Sequence, residues 1–189
     1  GLVRSRLGRA LELRQLFASP NVRALAAQLA HDDAAAPMRL VRGAPLALSP
    51  AQRRLWFLQQ IEPASASYNM PGAWRIDGAL DVDALRAAFA AAVARHEVLH
   101  SRIVEIDGTP MLVPDPDASL AWRVDAVDEA QMAAAIAANA ATPFDLARDL
   151  PLRVRVLRCG PNAHVLLACL HHVAADGAAV ADGLALLCA

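Results

Sequence analysis

Two adjacent histidines, His171 and His172, stand directly behind an apolar run, Ala163–Leu170, and Asp176 and Gly177 follow them in the segment HHVAADG. Histidine exchanges a proton near neutral pH, since its unperturbed pKa is about 6.5. On an extended segment neighbouring side chains point to opposite faces. Only one of the pair can face a given cleft, and the other must be buried or hydrogen-bonded. Asp176, four residues beyond His172, can fix the loop that aims it. Gly177 permits backbone angles that a larger residue resists. The candidate site residues are therefore His172, His171, Asp176 and Gly177. The spacing alone leaves three readings open: an acid–base site, a structural turn, or a metal site. The metal reading lacks a third ligand near His172 and Asp176, so no metal is expected.

The other histidines read as structural. His96 and His100 are four apart and could share a helix face, but they fall where a helix should end. His164 opens the apolar run. The three cysteines, Cys159, Cys169 and Cys188, show no zinc-site spacing. An odd cysteine count without a signal-peptide pattern fits a reduced cytoplasm, and Cys169 reads as a small core residue. All 18 basic residues are Arg, which excludes lysine Schiff-base and P-loop chemistry. A net charge of −1 gives no reason to expect nucleic acid or an anionic membrane as partner. No apolar stretch approaches the ~20 residues of a membrane span.

These residues need elements to position them. Residues 1–30 are helical in pattern, with Asn21 a candidate N-cap for Val22–Ala30. Residues 31–45 are punctuated by Pro37, Gly43 and Pro45 and read as a linker. Ser49-Pro50-Ala51-Gln52 has capping-box spacing and Pro in the first helical turn. The helix it starts carries Leu55, Trp56 and Leu58 and ends by Pro63. Ala73–Asp77 reads as a short strand. Asp81 can cap Val82–His96, whose Val82, Leu85, Phe89 and Val93 form an apolar stripe. Arg102–Ile106 and Pro110–Val113 flank Asp107-Gly108, a hairpin signal. Ala121–Asp125 reads as a strand and Asp128–Ala141 as a helix. Leu152–Leu157 alternates with Arg153 and Arg155, which predicts one buried face. Gly160-Pro161-Asn162 turns it into Ala163–Leu170. Gly177–Cys188 reads as the start of an apolar-faced helix. Strands and helices interleave, so the fold class is mixed α/β.

Several motifs together resemble one family. HHVAADG resembles the HHxxxDG motif of the condensation domains of nonribosomal peptide synthetases. SPAQRRLWFL at Ser49–Leu58 is similar to that family's opening motif, SxAQxRLWxL, and RHEVLHSRI at Arg95–Ile103 to RHExLRTxF. Tyr68-Asn69-Met70-Pro71 matches the YNxP segment between them. PFDLARDLPLRVRVLR at Pro143–Arg158 resembles the segment leading into the histidines. Leu13–Ala30 resembles the last two helices of a peptidyl carrier domain. His171 and Asp176 also fit the short His/Asp pair of glycerolipid acyltransferases, a weaker competitor.

The resemblance implies a chloramphenicol-acetyltransferase-like lobe, a mixed sheet with flanking helices, preceded by a short all-helical carrier remnant. It divides the chain into carrier helices (1–30), a linker (31–45) and the first lobe of a condensation domain, incomplete (46–189). It implies amide formation between an acyl or peptidyl thioester donor and an aminoacyl thioester acceptor, with L-configured donor and acceptor. The isolated piece would be inactive. His172 would be the acid–base or orienting group. Asp176 would hold the loop through an arginine; His100 stands where the family's second Arg would be, leaving Arg95, Arg102 or Arg153. The implied cofactors are the 4'-phosphopantetheine arms of partner carrier domains, their serine lying upstream of this chain. The partners are upstream and downstream carrier domains and an adenylation domain, in the cytoplasm. An inert docking or recruitment module is the alternative, and an epimerisation domain a lesser one.

Overall fold

The computed structural model describes residues 17–19, 21–31 and 43–175. Asp176, Gly177, the expected helix Gly177–Cys188, most of the expected linker and the first 16 residues lie outside the described residues. The chain divides into two compact units, Gly1–Val41 and Arg42–Ala189. The first contains helix α1, Val22–His31. Its N-terminus is capped as its sequence predicts: Asn21 Oδ1 accepts from the Ala24 N–H at 3.0 Å.

The second unit opens with β1 (Leu46–Ala47) and α2 (Pro50–Ile61). Ser49 Oγ accepts from the Gln52 N–H, and Gln52 Oε1 accepts from the Ser49 N–H at 3.0 Å, closing the capping box. Then come β2 (Asn69–Asp77), α3 (Val82–Arg95), a 3-10 turn (Glu97–His100), β3 (Ser101–Ile106) and β4 (Thr109–Pro114). β5 (Ala121–Ala126), α4 (Glu129–Ala141), β6 (Leu152–Gly160) and β7 (Ala163–His171) complete it. Asp81 and Asp128 cap α3 and α4 through their carboxylates. Asp107 and Gly108 turn the β3–β4 hairpin with φ of 50° and 75°. Both are left-handed, as a two-residue loop that matches strand twist requires.

The strands form two sheets, β1-β4-β3 and β2-β7-β6-β5. The second is mixed: β7 is antiparallel to both β2 and β6, and β5 runs parallel to β6. Phe89 and Val93 of α3 pack on one face, against Val154, Val156, Leu166 and Ala168. Met132, Ala135 and Ile136 of α4 pack on the other, against Leu157, Val165 and Leu167. A strand covered on both faces needs an unbroken apolar run rather than alternation, and β7 has one. Burying each of its Val and Leu side chains contributes about 1.5–3 kcal/mol. A third cluster joins Leu55 and Trp56 of α2 to Phe144, Cys169 and Val173, at the end of β7.

One expectation needs correction. β2 starts at Asn69, not Ala73, running through Pro71 and Gly72. It is an edge strand, where proline forfeits no ladder hydrogen bond on the open side. His96 and His100 are helix-end residues, as their positions predict: His96 ends α3 and His100 ends the separate 3-10 turn. β6 has one buried face, as its alternation predicts, with Leu152, Val154 and Val156 buried, and Arg153 and Arg155 between them are half-buried. Arg155 binds Asp125 at 2.6 Å, and Arg153 lies over the Phe144 ring at 4.0 Å.

Candidate active site

The end of β7 delivers the histidine pair, and hydrogen bonds to the residues that lead into β6 and β2 fix both backbones. His171 N–H donates to Pro151 O and His172 N–H to Tyr68 O, each at 2.9 Å. The two amides thus point to opposite neighbours, as alternation in a central strand demands. Ala174 N–H donates back to His171 O at 3.0 Å and closes a tight turn.

His171 is buried, 4% exposed, and His172 is exposed. The His171 ring meets Phe144 edge-on, with centroids 5.8 Å apart at 79°. It lies 6.4 Å from Tyr68. Its Nδ1 sits 3.1 Å from the Val173 nitrogen and accepts that N–H. A nitrogen that accepts carries no proton, so the ring is neutral and its proton is on Nε2. Burial, then the charges of His172 and Arg153, push its pKa down to about 4. His171 is therefore a neutral brace of the turn. Of the two, His172 is the imidazole open to a reacting group.

The brace is held in turn. Arg153 donates to the carbonyls of Thr142 and, at 3.2 Å, Pro143, with its guanidinium over Phe144. Asn69 Nδ2 donates to Ala140 O and Thr142 O at 2.7 Å each. Gln59 donates to Phe144 O, and Gln52 Nε2 to Val173 O at 3.2 Å. The sequence reading missed these contributions of Gln52, Gln59 and Phe144. Its one available signal was the seven-residue spacing of the glutamines, which puts them on one helix face.

Asp176 and Gly177 lie outside the described residues. Of the arginines named for Asp176, Arg102 pairs with Asp115 and Arg153 holds the carbonyls above. His100 donates through Nδ1 to Val93 O at 2.9 Å. Among the described residues no group of three or more His, Cys, Asp or Glu could hold a metal ion. No described helix is long and apolar enough to cross a membrane. A cleft of about 320 Å³ lies beside Arg86, Val93 and His100, and one of about 500 Å³ beside Leu48, Arg53, Trp56 and Phe57. Neither is lined by His171 or His172.

The mixed sheet with helices on both faces is the fold of condensation domains. The first condensation domain of the calcium-dependent antibiotic synthetase, solved with a substrate analogue, matches with a TM-score of 0.67 and 25% identity, over 76% of this chain and 37% of that one. The complex of the X-domain and OxyB from teicoplanin biosynthesis matches with a TM-score of 0.74 and 26% identity, over 82% of this chain and 35% of that one. The condensation domain family model matches residues 44–181, and the chain belongs to that family. A probable non-canonical nonribosomal peptide synthetase of Salinispora arenicola is 41% identical over 180 residues, 93% of this chain. This chain spans 2% of the length of that relative.

Proposed function

We propose that this chain serves amide bond formation in nonribosomal peptide synthesis, as part of a longer synthetase. The observation that carries the reading is the division of labour in the histidine pair: His171 buried and neutral, His172 exposed at the end of the central strand. A donor acyl or peptidyl thioester arrives on one phosphopantetheine arm and an aminoacyl thioester on another, both arms borne by carrier partners. The acceptor amine nitrogen attacks the donor carbonyl carbon. The C–N bond forms, the C–S bond breaks, and the thiolate leaves and takes up a proton. The attacking nitrogen must shed a proton, and a neutral imidazole at His172 can accept it. Holding both thioesters together can supply much of the acceleration. His171 is unsuited to that work, because its Nδ1 already accepts a backbone N–H.

On this reading Asp176 and Gly177 complete the loop, residues 1–30 are the end of a carrier domain, and residues 46–189 form the first lobe of a chloramphenicol-acetyltransferase-like pair. The 41% identity covers 93% of this chain, beyond the 44–181 matched by the family, which supports a synthetase origin for more than the lobe. The free thiols Cys159 and Cys169 accord with a reducing cytoplasm. A recruitment module is the second reading, favoured by the similarity to the X-domain in its complex with OxyB. The full-length synthetase, loaded with donor and acceptor thioesters, separates the two. Appearance of the amide on the acceptor arm supports condensation. Both thioesters persisting unchanged would support recruitment.

A further inference from the structure

We infer that α2 is a clasp on the histidine turn, with Gln52 and Gln59 as positioning residues for His172. The inference rests on the acid–base reading of His172. Gln52 and Gln59 are two helical turns apart and share the face that also carries Leu55 and Trp56. Their amide nitrogens reach the two segments that bracket His171. Gln52 Nε2 donates to Val173 O, and Gln59 Nε2 donates to Phe144 O. Val173 is the residue whose N–H is held by His171, and Phe144 is the ring against which His171 is packed.

The amide orientation of Gln52 follows from its partners. Ser49 N–H requires an acceptor and Val173 O requires a donor, so Oε1 faces Ser49 and Nε2 faces Val173. One side chain therefore does two separable jobs: it closes the helix cap, and it holds the turn. Losing the second lets the turn drift without unwinding α2. A drift of about 1 Å at a reacting group can cost on the order of 10²-fold in rate.

Gln52→Glu separates the jobs. Glutamate keeps the acceptor for Ser49 N–H and is itself a capping-box residue, but it cannot donate to Val173 O when ionised. In the full-length synthetase, Gln52→Glu should lower the single-turnover rate of amide formation roughly 10–100-fold, with carrier KM values unchanged. Amide hydrogen exchange across His171–Ala174 should speed up about 5-fold or more, the loss of one hydrogen bond, while α2 exchange stays as it was. Ser49→Ala should do the reverse: faster exchange at the start of α2, with the turn and the rate unchanged. Gln59→Met should loosen the Phe144 segment and the turn together. Wild-type exchange and rate in Gln52→Glu would overturn the clasp and leave the His172 reading intact. Altered exchange in Gln52→Glu, combined with a His172→Ala variant of undiminished rate, would keep the clasp and overturn that reading.

Discussion

The Val173 N–H donates to His171 Nδ1 at 3.1 Å, two residues back along the chain. That bond ties the protonation state of one histidine to the shape of the turn that presents the other. Protonating His171 replaces the acceptor with a donor and sets two N–H groups against each other. The turn is therefore stable only while the ring is neutral.

A pH dependence follows. The folded protein holds His171 neutral down to about pH 4, whereas the unfolded chain protonates it near 6.5. Between these values the unfolded state binds more protons, so this stability is present above about pH 6.5 and is lost as pH falls toward 4. The full effect is on the order of 3 kcal/mol. Asn at position 171 keeps an acceptor for Val173 N–H and cannot titrate. Urea unfolding at pH 7 and pH 4.5 should show His171→Asn losing less stability on acidification than the wild type. Equal losses would contradict a buried neutral ring.

Gly72 lies under the Trp74 indole. A Cβ built at Gly72 would come within 1.9 Å of Trp74 Cη2, and Trp74 packs against the core beneath α3. Gly72→Ala should cost about 1–3 kcal/mol, the usual range for overpacking. The double variant Gly72→Ala with Trp74→Leu should cost less than the sum of the two single changes, and strict additivity would argue against the contact.

Phe144 is 3% exposed and sits between Arg153 and His171. Phe144→Ala should cost about 3–5 kcal/mol. Phe144→Leu keeps most of the apolar volume and loses the ring contacts, so it should cost about 1 kcal/mol. Thermal unfolding of the two variants orders these effects, and a Leu variant as damaged as the Ala variant would show that the ring contacts dominate.

Much of the frame was legible because its signals are local. The Ser49–Gln52 box, the Asp81 cap and the Asp107-Gly108 turn each depend on a few neighbouring residues. The unbroken apolar run of β7 marked an interior strand for the same reason. What failed was set at a distance. Pro71 and Gly72 lie ahead of the strand read at Ala73–Asp77, and the edge position of β2 is what lets it run through them. Nothing local announces that Phe144 and the carbonyls of Thr142 and Pro143 cover Arg153. The pairing of Asn69 with His171 joins the YNMP segment to the histidines across half the chain, and no local pattern announces it. For the site, the sequence said that one histidine must be buried. The resemblance pointed to His172 as the open one, and the structure adds that His171 is buried with Nδ1 committed to Val173.

Asp125 anchors β5 to β6. Burial works against its charge, but hydrogen bonds from Arg155 and Arg123 hold its carboxyl below the ordinary range. The stability it contributes is present above its unfolded pKa of about 3.9 and is lost as pH falls through the lower folded value. Asp125→Ala removes the partner of half-buried Arg155 and should cost about 1.5–3 kcal/mol at neutral pH. Urea unfolding of Asp125→Ala alone and paired with Arg155→Ala measures the coupling, and a coupling near zero would mean that the pair contributes nothing.

The central claim is that His172, and not His171, works on the reacting amine. It is tested most directly by single-turnover amide formation in the full-length synthetase with both carriers preloaded, comparing His172→Ala with the wild type. The account predicts a loss of roughly 10²–10⁴-fold, the range of a positioned acid–base group. An unchanged rate for His172→Ala would contradict it.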